Sequence, residues 1–286
     1  MGQAGAILLS SGSLFPIVGA TFEVAVAPGR SEDEPPILLK RPAPWLRARP
    51  EGAAALEREW QVLQRFTLDA LPKPLFRGED ERGPFLAETL VPGVPLRALP
   101  ERGFWTATRF RSVAWAAFSA LAELHEHADA RGSLGFVHGD LSPDNVFVDE
   151  APSVPRVSFI DFGSATFRDA AAPVFPNARG TLPYAPPELV RGEQQPRAAT
   201  DVYALAASLL TLVQPELTHA STEAALLVEV GERGLRLDAL MSRTDFEASE
   251  KEALLRAVAF DPSERITSAR ELASVFARSP RGRDRC

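Results

Sequence analysis

Apolar and polar residues alternate in short runs through the first ~90 positions, which predicts strands there. Phe22-Glu-Val-Ala-Val26 alternates and stops at Pro28-Gly29, and Ile37-Leu-Leu-Lys40 is closed by Arg41-Pro42. Phe85-Leu-Ala87 reads as a further strand ahead of Pro92-Gly93. In between the period changes. Leu56, Trp60, Leu63 and Phe66 recur at i, i+4, i+7 and i+10, one apolar face of a helix expected over 52–66. From Trp105 onward the texture turns helical, with helices expected over about 105–128, 200–213, 222–230, 246–259 and 267–277 and a loop-rich middle from Gly132 to Gly192. Strands first and helices after predict an α+β protein in two lobes. The expected boundaries are 1–91 for a small β-rich lobe with one helix, 92–102 for a hinge and linker, 103–278 for a mainly helical lobe and 279–286 for a frayed basic tail.

The most membrane-like stretch, Ala4 to Ala27, has no basic leader and is broken by Ser10, Ser11, Gly12, Ser13, Pro16 and Glu23. It reads as two buried strands joined by a Gly/Ser turn. Val113 to Leu124 is half a bilayer long and suits a buried helix. Composition narrows the class. With 45% hydrophobic and 24% charged residues in a chain of 286, the sequence is that of a globular protein with a sizeable core. Thirty-one basic against 38 acidic residues give a net charge of −7, and no broad basic face exists for a nucleic acid. The single cysteine, Cys286, excludes a disulfide framework and a cysteine zinc site, and fits a reducing compartment. The expectation is a cytoplasmic protein that binds neither nucleic acid nor membrane, with its oligomeric state left open.

The chemistry lies in the middle. His138-Gly-Asp140-Leu-Ser142-Pro-Asp144-Asn145 precedes the apolar run Val146-Phe147-Val148, and Asp161-Phe162-Gly163 follows the strand-like Val157-Ser-Phe-Ile160. Loop, strand, turn, strand, loop brings Asp140, Asn145 and Asp161 to one end of a small hairpin. Two carboxylates and an amide there form an oxygen-rich site of the kind Mg²⁺ takes when it also holds nucleotide phosphates. Phosphoryl transfer needs charge neutralisation, alignment and an acceptor for one proton, and these residues can supply them.

The pattern resembles that of the eukaryotic-like (bacterial Hanks-type) protein serine/threonine kinases. Its H-x-D-x-x-x-x-N is His138, Asp140 and Asn145, and its D-F-G is Asp161-Phe162-Gly163. Gly180-Thr181-Leu-Pro-Tyr184-Ala-Pro-Pro187-Glu188 is similar to the segment that closes the family's activation loop. Asp201-Val-Tyr-Ala-Leu205 is similar to the start of its central helix, and Asp261-Pro-Ser-Glu-Arg265 to its late arginine motif. The resemblance covers nearly the whole chain and is strongest from about 120 to 275. It implies a bilobal kinase fold and transfer of the γ-phosphate of Mg-ATP to a protein hydroxyl. It implies Asp140 as catalytic aspartate, Asn145 and Asp161 as Mg²⁺ ligands, and Lys40 as the phosphate-binding lysine. The lysine's glutamate partner is Glu57 or Glu59; Glu59 is preferred because it stands just ahead of the apolar stretch Trp60 to Leu63. Arg265 is expected to pair with Glu188.

Four positions depart from the family pattern. The glycine-rich loop is reduced to Gly19-Ala-Thr-Phe22-Glu-Val24, with one glycine in place and Val24 left to pack over the adenine. Without glycine, close approach of the backbone to phosphates is harder. Ser142 stands in the nucleotide site where the family carries a phosphate-neutralising lysine. Gly139 replaces the arginine that grips a phosphorylated activation loop, so weak or no control by loop phosphorylation is expected at Ser164, Thr166 and Thr181. Glu88 places an acid at the back of the nucleotide pocket. Two other readings compete with an active kinase. A pseudokinase would keep the fold and act by binding, but Lys40, Asp140, Asn145 and Asp161 are all present. A small-molecule phosphotransferase shares H-G-D-x-x-x-x-N, but lacks the protein-substrate platform implied by Gly180–Glu188 and Arg265.

Overall fold

The computed structural model describes residues 22–28, 36–128, 135–167, 180–220 and 222–277. Gly19 and the tail 279–286 lie outside them. The amino-terminal part is a four-stranded antiparallel sheet in the order β1-β2-β4-β3, built from β1 (Phe22–Ala27), β2 (Ile37–Pro42), β3 (Pro74–Asp80) and β4 (Gly83–Thr89). Alternation sorts its side chains onto two faces. Ala25, Ile37, Leu39 and Ala87 pack on one face with Phe76 and Phe85. On the other, Phe22 and Leu86 meet Ala55 and Leu56 of a helix.

A short helix, α1 (Pro44–Arg47), leads into that helix, α2 (Pro50–Arg65), which opens on Pro50. Proline suits the first helical turn because its missing N–H would have had no partner there. The helix buries Leu56, Glu59, Val62 and Leu63, an i, i+3, i+6, i+7 stripe that includes one carboxylate. A strand pair, β5 (Val94–Pro95) on β7 (Val146–Asp149), follows, and β7 pairs in turn with β8 (Arg156–Phe159).

The carboxy-terminal part is built around α3 (Ala107–Glu126), capped by the Thr106 side chain accepting from the Arg109 N–H. A two-stranded ladder, β6 (Phe136–Val137) with β9 (Thr166–Phe167), lies nearby. The remaining helices are α4 (Pro187–Val190), α5 (Ala198–Leu210), α6 (Glu223–Arg233), α7 (Asp238–Ser242), α8 (Ala248–Ala257) and α9 (Ala269–Phe276). In α5 the run from Thr200 to Leu210 is buried throughout, so it forms the spine of this lobe. Phe276 stacks on Phe118 and meets Phe110 edge-on within one continuous core that also takes in Val62 of α2 and Phe66 just after it. This is an α+β bilobal fold. Among the described residues no helix is long and apolar enough to cross a membrane.

Candidate active site

Strand register places the first component. Lys40 lies opposite Val24 on β1 and Leu86 on β4, and Leu38 lies opposite Val26 and Glu88. Antiparallel partners share a face, so Val24, Val26, Leu38, Lys40, Leu86 and Glu88 all project from the side covered by α2. Lys40 Nζ donates to Glu59 Oε2 at 2.6 Å and to Asp161 Oδ1 at 3.1 Å. Glu57 faces elsewhere and pairs with Arg77. The other oxygen of Glu59 accepts the Phe162 N–H at 3.3 Å. One buried carboxylate thus ties the sheet to the D-F-G turn.

The electrostatics there are unbalanced. Lys40, Glu59 and Glu88 are all buried, and Asp161 lies beside them. Burial alone would pull the Lys40 ammonium down, but Asp161, Glu59 and Glu88 outweigh it and hold Lys40 above its ordinary value. Burial pushes Glu59 up, and Lys40 opposes the shift. Burial, reinforced by repulsion from Glu59, raises Glu88 well above the carboxylate range. One ammonium faces three carboxyl groups, and Glu88 is the one that burial pushes most strongly toward its neutral form. Its Oε2 is buried with no hydrogen-bond partner among the described residues.

The second component is the loop from His138 to Asn145. Asp201, at the start of α5, is fully buried and accepts the backbone N–H groups of His138 at 2.7 Å and Gly139 at 2.9 Å. His125 Nε2 donates to the same carboxylate at 3.0 Å. His138 donates from Nε2 to the Ile160 carbonyl at 2.9 Å, fixing the tautomer and joining the loop to the end of β8. Gly139 has φ +82°, and a Cβ there would lie 2.9 Å from the Ser164 carbonyl oxygen, so glycine is the unstrained choice.

Asp140 accepts the Thr181 hydroxyl at 2.7 Å across 41 residues of chain. Burial raises the Asp140 carboxyl above its ordinary value, against the Thr181 hydrogen bond and with the help of Asp161. Asn145 spends its amide N–H on the Asp140 carbonyl at 2.9 Å, which leaves the side-chain oxygen to accept or coordinate. Its carbonyl takes the Ile160 N–H at 3.1 Å, so β7 and β8 hold Asn145 and Asp161 at one end of their hairpin. Asp161 has φ +67°, rare for a residue with a side chain and typical of functional turns.

The two components therefore meet: Lys40, Glu59, Asp161, Asn145 and Asp140 lie along one cleft between sheet and helices. Val24 lines its sheet side. Ser142 is buried within the loop, and no hydrogen bond among the described residues joins it to Lys40 or Asp161. Arg265 meets Glu188 through two bonds of 2.6 and 2.8 Å, both residues buried. Two participants escaped sequence reasoning. His125 holds the Asp201 carboxylate, and Phe22, in the sequence a strand residue within the reduced glycine-rich loop, has its ring centroid 4.2 Å from Lys40 Nζ.

Comparison with known proteins bears on the family of the chain. The family model described as protein kinase domain matches residues 47–276. The serine/threonine-protein kinase Pkn1 of Myxococcus xanthus is 29% identical over 212 residues, which is 72% of this chain and 28% of that protein. The serine/threonine-protein kinase PkaB of Streptomyces coelicolor is 34% identical over 134 residues, 45% of this chain and 30% of its own length. The DNA damage-responsive serine/threonine-protein kinase RqkA of Deinococcus radiodurans is 32% identical over 158 residues, 53% of this chain and 22% of its own length. The chain spans less than a third of each of these curated relatives. With the matched region running from the last residue of α1 through α9, the chain belongs to the protein kinase family.

Proposed function

We propose that the chain is an active protein serine/threonine kinase that transfers the γ-phosphate of Mg-ATP to a protein hydroxyl. The observation that carries this reading is Lys40 bridging Glu59 and Asp161 across 121 residues of chain, an arrangement with its cation, carboxylates and loop already aligned. The donor set suits magnesium. Asp161 and the free side-chain oxygen of Asn145 are hard oxygen ligands, and Mg²⁺ is held by one or two such groups plus phosphates and water. Among the described residues no cluster of three His, Cys, Asp or Glu side chains forms a self-sufficient metal cage. When bound, the ion would neutralise charge on the transferring phosphoryl group.

The chain's own groups do the rest. Lys40, oriented by Glu59, binds phosphate oxygens as a fixed cation. Asp140 orients the acceptor hydroxyl and takes its proton; its raised carboxyl is moved toward the working pH, which favours proton acceptance. Thr181 holds the Asp140 carboxylate in place and borders the ground on which a serine or threonine would lie. Residues 92–102 serve as the connection between lobes. With Gly139 at the position of the loop-gripping arginine, the kinase works without phosphorylation of its own activation segment, and the partner is a protein substrate.

The test is transfer of labelled γ-phosphate from Mg-ATP to the protein itself and to a generic basic acceptor protein, with Asp140→Asn alongside. Label on serine or threonine that falls by about 10²–10⁴-fold in the variant is expected, the worth of one positioned general base. No label with either protein while nucleotide still binds would replace the kinase with a pseudokinase.

A further inference from the structure

An ammonium has three N–H groups. At Lys40 two are taken by Glu59 and Asp161. Phe22 covers Nζ from another side, its ring centroid 4.2 Å away, in cation–π contact. The register explains how it gets there. Phe22 lies opposite Pro42 and Val24 opposite Lys40, so both side chains leave β1 on the cleft face. Along that face the strand closes progressively. Val26 is 46% exposed, Val24 is half-buried and Phe22 is only 6% exposed. The sheet side of the cleft is open at Val26 and shut at Lys40.

The ring is held in place, packed with Ala55 and Leu56 of α2 and Leu86 of β4. In sequence it stands three residues after Gly19 and two before Val24, where a phosphate-cradling pattern would place a glycine. A benzyl group fills the space that a hydrogen would leave empty.

We propose that Phe22 sets nucleotide affinity by occupying the face of the Lys40 ammonium that a phosphate must reach, so that phosphates bind only by displacing the ring. The inference rests on the kinase reading, which makes Lys40 the phosphate-binding cation. A phosphate makes a charge-assisted bond stronger than a cation–π contact, so displacement is possible but subtracts from affinity. A nucleoside without phosphates has no need to move the ring.

The experiment is equilibrium binding of Mg-ATP and of adenosine to the full chain, as wild type, Phe22→Ala and Phe22→Leu. Leucine keeps apolar bulk against Ala55, Leu56 and Leu86 while removing the π face, so it guards against a folding defect in the alanine variant. Both variants should bind Mg-ATP about 2- to 30-fold more tightly, the factor equivalent to a cation–π contact of about 0.5–2 kcal/mol, with adenosine unchanged. Unchanged or weaker Mg-ATP binding, or a parallel change for ATP and adenosine, overturns the inference and leaves the kinase reading standing. Absence of nucleotide binding in all three proteins overturns both.

Discussion

Two buried charge clusters in this chain are built on opposite plans. Between α4 and the segment after α8, Arg265 and Glu188 form a closed pair. Both guanidinium–carboxylate bonds are made, and two further Arg265 N–H groups donate to the Ala259 and Phe260 carbonyls at 2.6 and 3.0 Å. Between β2 and α2, one ammonium faces three carboxyl groups, and one of those is left with an unpartnered oxygen. The first arrangement is what burial demands, since an unpaired interior charge is costly. The second gives up that economy. An excess of buried carboxyl groups around one cation is the kind of strained electrostatics that marks working sites.

The comparison can be broken at either end. The largest effect on folding is expected from Arg265→Met, which leaves Glu188 buried and unpaired and should cost about 3–5 kcal/mol in denaturant unfolding. An effect below that range would mean that water reaches the pair. Lys40→Met should lower phosphoryl transfer by about 10²–10³-fold. Its unfolding midpoint should fall less than that of Arg265→Met, because burial already pushes the Glu59 carboxyl toward its neutral form and the loss of Lys40 removes what opposes that shift. Equal losses of stability in the two variants would erase the distinction drawn here.

Glu88→Gln sharpens the comparison through pH. Burial raises the Glu88 carboxyl in the fold above its unfolded value, so its contribution to stability is full below the ordinary carboxylate range and declines as pH rises. The glutamine variant lacks that decline. Its Tm relative to wild type should climb by a few degrees between about pH 5 and pH 8, and a flat difference would show that Glu88 is ionised in the fold. The smallest effect is expected from joint replacement of Ser164 and Thr166 by alanine, which should leave transfer to an acceptor protein unchanged. Loss of activity would establish loop phosphorylation as a control.

Much of this architecture is legible in the sequence, and the parts that are not share a cause. Strands β1, β2 and β4 and helices α2 and α3 announce themselves because their apolar residues keep a local period. Strand β3 does not. It sits at the sheet edge, pairs only with β4, and carries Pro74, Gly78, Glu79 and Asp80, so little of it is buried and no alternation marks it. Helices α1, α4 and α7, of four, four and five residues, are too short to show a period. At the site, the spacing of His138, Asp140, Asn145 and Asp161 is readable because one hairpin sets it. The role of His125 depends on a carboxylate 76 residues downstream, and the burial of Glu88 on a helix packed over its strand. Phe22 reads as a missing glycine until strand register reveals which cation it covers.

Glu59 gives the site a calendar as well as a geometry. Its partner Lys40 is only 19 residues earlier, so sheet and helix can be matched soon after both emerge from the ribosome. Its other partner, the Phe162 N–H, arrives 103 residues later, and Asp161 reaches Lys40 only after 121. At a synthesis rate of about 5–20 residues per second, Lys40 waits roughly 6–24 s for its second carboxylate. Throughout that interval the nascent chain holds a lysine and a glutamate but no assembled centre. Vectorial synthesis thus keeps phosphoryl chemistry silent until both lobes exist.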